Sequence, residues 1–138
     1  MTEMEQLVQH EAMELAQKYN FYPMEIYYHL MAAEEHPEVI IPTFWRIKGK
    51  VVGFSIGQYF KKTPSKGESC FELNYVFIVP ECRNKGIFSS HLDDLFEKYK
   101  ILYIPTREKH MIQILNKKGF KVDKVCKNGK DISFRGER

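Results

Sequence analysis

From Cys70 to Val79 the chain is nearly continuous in apolar and aromatic residues, and at Pro80 that run stops. Such a run reads as a strand buried on both faces, the kind that lies inside a sheet. Proline has no N–H to give a ladder, so Pro80 closes the strand. Arg83, Lys85 and Gly86 follow in a tight basic turn, after which Ile87, Leu92, Leu95 and Phe96 share one side of an amphipathic helix. A central strand feeding straight into a helix commits the chain to an α/β arrangement with a parallel crossover. The first amides of a helix lack internal partners and lie at the positive end of its dipole. With two basic side chains beside them and no side chain on Gly86, they make a cradle for an anion, most naturally phosphate.

The rest of the chain is punctuated by similar signals. The spacing predicts a helix over 2–20, with Leu7, Met13, Leu15 and Ala16 at partial helical intervals and Thr2 with Glu5 as a capping box. A second helix is expected over 23–35, with Pro23 in its first turn and Ile26, Tyr27, Leu30 and Met31 on its apolar face. Two β-rich runs, 39–47 and 51–60, flank Lys48-Gly49-Lys50 and argue a hairpin. Residues 61–68 read as a polar loop. Beyond the central helix come a short strand over 101–104 stopped by Pro105 and a helix over 107–118 bearing Met111, Ile112, Ile114 and Leu115. Gly119 caps that helix, a strand follows to Val125, and Asn128-Gly129 turns the chain into a last strand over 132–134. The expectation is one domain over 1–138, helical over 1–38 and built on a sheet over 39–138.

Composition narrows the class of molecule. A hydrophobic content of 43% and an aromatic content of 14% supply a core and argue against disorder. No apolar run is long enough to span a bilayer, and the start lacks a signal-peptide pattern. Cys70, Cys82 and Cys126 are odd in number and widely spaced, with no zinc-ligand pairing, which suits free thiols in a reducing cytoplasm. Residues 1–69 hold seven Lys/Arg against nine Asp/Glu, whereas residues 70–138 hold fourteen against nine. The basic half is the half with the anion cradle. A phosphorylated cofactor accounts for this economically; a nucleic-acid surface is the other reading and is not favoured.

As an ordered string, Ile78-Val79-Pro80-Glu81-Cys82-Arg83-Asn84-Lys85-Gly86-Ile87-Phe88-Ser89 resembles the acetyl-CoA-binding motif of the GNAT superfamily of N-acetyltransferases. That motif runs Gln or Arg, two residues, Gly, one residue, Gly or Ala. Arg83 and Gly86 match it, and Phe88 followed by Ser89 resembles the bulky residue and serine of some branches. A second signature lies in Ile114-Leu115-Asn116-Lys117-Lys118-Gly119-Phe120, similar to the family helix that ends in Tyr-x-x-x-Gly-Phe. Gly119 and Phe120 match, while Leu115 holds the tyrosine's place. Glu108 stands near the place of a cofactor-contacting asparagine, and the family's opening strand is not evident. The resemblance implies a mixed, mostly antiparallel α/β sheet with helices on both faces. It also implies acetyl-CoA as co-substrate, and direct acetyl transfer to a primary amine of a small molecule or protein by a monomer or homodimer, with no metal.

Site roles follow from the same resemblance. Arg83, Asn84, Lys85, Gly86, Ile87, Phe88 and Ser89 are implied to hold the pyrophosphate. Ile78 and Val79 would pair their backbone with the pantetheine arm, and an amide near Ile78 would polarise the thioester carbonyl. Amine attack needs a proton acceptor, and Glu72 stands eleven positions before Arg83, the spacing of the glutamate base in histone-type members. Strand alternation puts Glu72, Asn74, Val76 and Ile78 on one face, where partial desolvation would raise a carboxyl pKa. An ordinary surface charge at the strand's wet start is the plainer reading of Glu72. With Leu115 unable to give a proton to the thiolate, Tyr103 or water is left to do so; a strand tyrosine is otherwise core with a bonded hydroxyl. His91 and His110 read as structural or exposed. Phe21-Tyr22, Tyr27-Tyr28 and Phe44-Trp45 line an acceptor pocket or belong to the core. Two other readings stay open: a non-catalytic scaffold of the kind found in bacteriophages, and a nucleic-acid-directed modifier.

Overall fold

The computed structural model describes residues 2–61 and 69–138, so nearly all of the expected 61–68 loop lies outside the described residues. Its elements are α1 (Glu3–Lys18), α2 (Pro23–Glu35), β1 (Ile40–Ile47), β2 (Lys50–Phe60), β3 (Cys70–Ile78), a 3-10 turn (Pro80–Cys82), α3 (Ile87–Lys98), β4 (Ile101–Thr106), α4 (Lys109–Lys117), β5 (Lys121–Val125) and β6 (Ile132–Glu137). The strands form one six-stranded mixed sheet in the order β1-β2-β3-β4-β6-β5. Two compact units divide the chain: Met1–Gln58 with Tyr75–Lys85, and Tyr59–Asn74 with Gly86–Arg138.

In the first unit, Thr2 Oγ1 accepts from Glu5 N at 3.1 Å and starts α1, as the capping pattern suggested. The buried stripe of α1 is Val8, Ala12 and Ala16 with Gln9, not the stripe containing Leu7, which is 59% exposed. Gln9 Nε2 donates to Leu30 O at 3.1 Å across the helix pair. On α2 the buried side is Ile26, Leu30 and Ala33, while Tyr27 and Met31, expected inside, are exposed. β1 and β2 form the foreseen hairpin, pairing Ile47 with Lys50 around Lys48 and Gly49. Both turn residues have positive φ (52° and 81°), the two-residue geometry that matches strand twist. Phe21, Phe54 and Phe77 pack as a ring cluster with centroids 5.1–6.0 Å apart. Gly53 lies so close to the Phe77 carbonyl that an added Cβ would stand 2.5 Å from the oxygen.

In the second unit, β3 and β4 run parallel, in register from Cys70↔Ile101 to Glu72↔Tyr103. The chain returns between them through α3, whose buried side is Phe88, His91, Leu92 and Leu95. β4 then continues through Pro105, which pairs with Ser133 on β6, to Thr106. The proline was expected to stop this strand. It does not, because the register with β3 ends at Tyr103, so that edge has no ladder bond for Pro105 to lose. The passage from β4 through α4 to β5 does not place those strands side by side. β6 lies between them, antiparallel to both. Glu108 is not in α4 but caps it, its carboxylate accepting from His110 N at 3.1 Å and Met111 N at 2.6 Å. Leu102, Ile104, Leu115, Phe120 and Phe134 are all buried, with Ile104 and Phe134 as register partners. β6 extends beyond Phe134 to Glu137, and Gly136 leaves space that the Phe120 ring fills.

Candidate active site

The strand exit in the first unit is tightly bonded. Val79 N donates to Val52 O at 2.8 Å, and Val79 O accepts from Cys82 N at 2.9 Å. Val79 therefore has no amide left for a pantetheine arm, which corrects the sequence expectation; its partners are β2 and the 3-10 turn begun by Pro80. Successive strand amides point to opposite edges, so Ile78 N–H points away from β2. Ile78 O accepts from Arg83 Nε at 2.7 Å, and the guanidinium carbon lies 5.7 Å from the Phe77 ring centroid. Arg83 thus folds back on the strand end and braces the turn. Its own N–H donates to Pro80 O at 3.3 Å. Asn84 and Lys85 follow, both exposed, with Asn84 at φ 63°.

In the second unit Gly86 is the residue before α3, at φ 83°, with open space where a Cβ would stand. Its carbonyl accepts from Ser90 N at 2.9 Å, the first bond of the helix. No side chain caps this end. Among the described residues, the amides from Gly86 to Ser89 give no hydrogen bond to any backbone or side-chain acceptor. Phe88, the bulky residue of the motif, points into the core, so only its amide faces the helix end.

Glu72 and Tyr103 are register partners on β3 and β4, at the last pair of the parallel ladder. Register partners in a parallel pair share a face, so the candidate base and acid lie on one side of the sheet. The opposite face carries buried Phe71, Leu73, Leu102 and Ile104. Asn74 Nδ2 donates to Glu72 Oε1 at 2.6 Å and fixes the half-buried carboxylate. Tyr103 pairs on its other side with Arg135 of β6, whose Nε lies 3.4 Å from the phenol oxygen. Arg135 Nη1 in turn reaches Glu137 Oε2 at 3.2 Å. Burial, then the charge of Glu72, pushes the Cys70 thiol pKa up.

The sequence reading put Asn74 on the face of Glu72 without giving it a role, and it did not single out Arg135. Alternation alone places Asn74 beside Glu72, whereas Arg135 needs the β4–β6 register. Leu115 is fully buried, so nothing polar replaces the family tyrosine at that position. His91 is 4% exposed on α3; burial lowers its pKa to about 4, against a smaller upward pull from Asp94, while Lys98 lowers it further. His110 is exposed. Of the aromatics offered for an acceptor pocket, Phe21 is in the ring cluster, and Tyr22, Tyr27 and Tyr28 are exposed. Phe44 lines a groove of about 570 Å³ among α1, α2 and β1, with Val8, Leu30, Ile40 and Pro42. No candidate catalytic residue lines that groove. Cys70 and Cys82 are buried and Cys126 half-buried; all three thiols are free. Among the described residues no cluster of His, Cys, Asp or Glu has the makings of a metal site, and no helix is long and apolar enough to cross a membrane.

The family model described as "Acetyltransferase (GNAT) family" matches residues 3–107. Solved structures of the same architecture include the PaiA N-acetyltransferase of Thermoplasma acidophilum in complex with coenzyme A. It is 14% identical, with 91% of this chain and 77% of that one covered and a TM-score of 0.64. A GNAT family acetyltransferase from Elizabethkingia anophelis with acetyl-CoA bound is 17% identical over 78% of this chain and 82% of that one, at a TM-score of 0.56. Arabidopsis thaliana Naa50 in complex with a bisubstrate analogue, CoA-Ac-MVNAL, is 16% identical over 70% and 72%, at 0.60. No curated protein matches the chain.

Proposed function

Because the chain belongs to the acetyltransferase (GNAT) family, we propose that it transfers the acetyl group of acetyl-CoA to a primary amine by direct attack. The observation that carries this is the start of α3 at Gly86–Ser89, whose amides meet no acceptor among the described residues and which no side chain caps. A diphosphate supplies the acceptors those amides lack, and the α3 dipole favours its charge. Arg83, held to Ile78 O, keeps the turn open, and Lys85 adds charge. The Ile78 amide, turned away from β2, polarises the thioester carbonyl in this reading. Val79 contributes an apolar wall.

Glu72 accepts the proton that the attacking ammonium must lose, held in place by Asn74. Tyr103, its register partner, protonates the departing sulfur in place of the tyrosine that Leu115 replaces. A small-molecule or protein amine is the acceptor class, and free thiols suit a reducing compartment such as the cytoplasm. The whole of 1–138 acts as one acyltransferase domain. The test is calorimetric titration with acetyl-CoA, followed by mass spectrometry of the protein incubated with acetyl-CoA and spermidine, a lysine peptide or a peptide with a free N-terminus. Saturable binding and an acetylated amine are expected; absence of acetyl-CoA binding would sink the proposal.

A further inference from the structure

We infer that Arg135 is the positioning residue for Tyr103, a role that rests on the transfer reaction proposed above. Glu72, Tyr103 and Arg135 follow one another across β3, β4 and β6 at one level of the sheet. The phenol of Tyr103 stands between a carboxylate-bearing strand and a guanidinium-bearing one. A guanidinium has donors and no acceptor. In the 3.4 Å contact with Arg135 Nε the phenol oxygen must therefore accept, and its own proton points away from Arg135. Glu137 Oε2 accepts from Arg135 Nη1 at 3.2 Å, a second hydrogen bond on the same guanidinium. A phenol so engaged has one proton, one direction to give it, and a cation beside the oxygen that becomes negative when it does.

The proton accounting assigns this arrangement its use. Transfer forms a C–N bond and breaks a C–S bond. The ammonium starts with three N–H bonds and the amide keeps one. One of the two protons lost ends on the CoA sulfur and the other passes to solvent. Glu72 receives a proton from nitrogen, Tyr103 gives its proton to sulfur, and a proton from Glu72 or water restores the phenol. Arg135 touches neither substrate. It orients the phenol and stabilises the transient phenoxide through a charge-assisted hydrogen bond.

The experiment is a double-mutant cycle on Tyr103→Phe and Arg135→Met, with Arg135→Lys as the rescue variant. Chromatographic CoA release from acetyl-CoA is followed with hydroxylamine as acceptor, a nucleophile that is already neutral, so that only one nitrogen proton has to be lost and no ammonium is deprotonated first. Each single variant is expected to lower kcat about tenfold with the KM for acetyl-CoA within twofold, and the double variant to fall no further. Arg135→Lys should recover part of the loss. Independent, multiplying losses, or an unchanged kcat in Arg135→Met, would overturn the role. The 13Cζ tyrosine resonance assigned to Tyr103 should also shift in Arg135→Met without any acceptor present, and an unmoved resonance would count against the contact. If the wild type binds acetyl-CoA but releases none, this inference fails. If it does not bind acetyl-CoA, the underlying reaction fails instead, and the two outcomes are told apart by the titration.

Discussion

Gly86 is the residue on which the cofactor proposal is most sharply testable. Its φ of 83° is one that an L side chain adopts at a cost of about 1–2 kcal/mol. Space beside it is open, so the cost is confined to the backbone. Gly86→Ala should lose stability by about that amount and keep acetyl-CoA affinity, whereas Gly86→Glu brings a carboxylate to the uncapped helix start and should abolish binding. Titration calorimetry on both variants separates strain from charge; equal binding by Gly86→Glu would remove the amide cradle from the mechanism. Glu72 is tested differently. Glutamine keeps the shape and an oxygen for Asn74 Nδ2 but cannot take a proton at working pH. Glu72→Gln should slow acetyl transfer on the order of 10²-fold or more with cofactor affinity unchanged. Wild-type turnover in that variant would hand the base role to water.

Strands and helices carry their own consequences. β2 and β3 approach so closely at Gly53 that a methyl group there meets the Phe77 carbonyl. Gly53→Ala should cost roughly 1–3 kcal/mol in denaturant unfolding, because a backbone atom has to yield. On α3, His91 is held neutral by burial, its pKa lowered from 6.5 to about 4. Its contribution is fully present above pH 6.5. As the pH falls toward 4 the unfolded chain takes up a proton that the folded chain refuses, and stability is lost by up to roughly 3 kcal/mol. Melting temperatures from pH 7.5 to 4.5 should show that decline, and His91→Phe should flatten it. The elements themselves were largely legible. Gly119, Gly49 and Pro80 mark their boundaries through backbone chemistry that neighbours do not override. The faces were less so. Leu7, Tyr27 and Met31 are apolar but point outward, since only the approach of another element decides which side of a helix is covered. Arg135 was invisible for a related reason: its place beside Tyr103 depends on a register between strands whose connection runs through α4 and β5.

At the scale of the whole molecule, a ligand that binds only the folded chain must raise its melting temperature. At a hundredfold excess over its dissociation constant, acetyl-CoA should stabilise by about 2.7 kcal/mol, read as a rise of several degrees. No shift at saturating acetyl-CoA would speak for a scaffold without cofactor. The candidate site was legible to the extent that it rests on consecutive residues, as the 83–89 loop does. It was not legible where it rests on pairing across strands, as the Glu72–Tyr103–Arg135 row does. The seclusion of Cys70 and Cys82, with Cys126 only partly reachable, carries a practical corollary. Chromogenic disulfide reagents will find little to titrate on the native polypeptide. Each sulfhydryl they report during turnover will then belong to spent carrier, so that continuous colorimetry can follow catalysis with almost no blank.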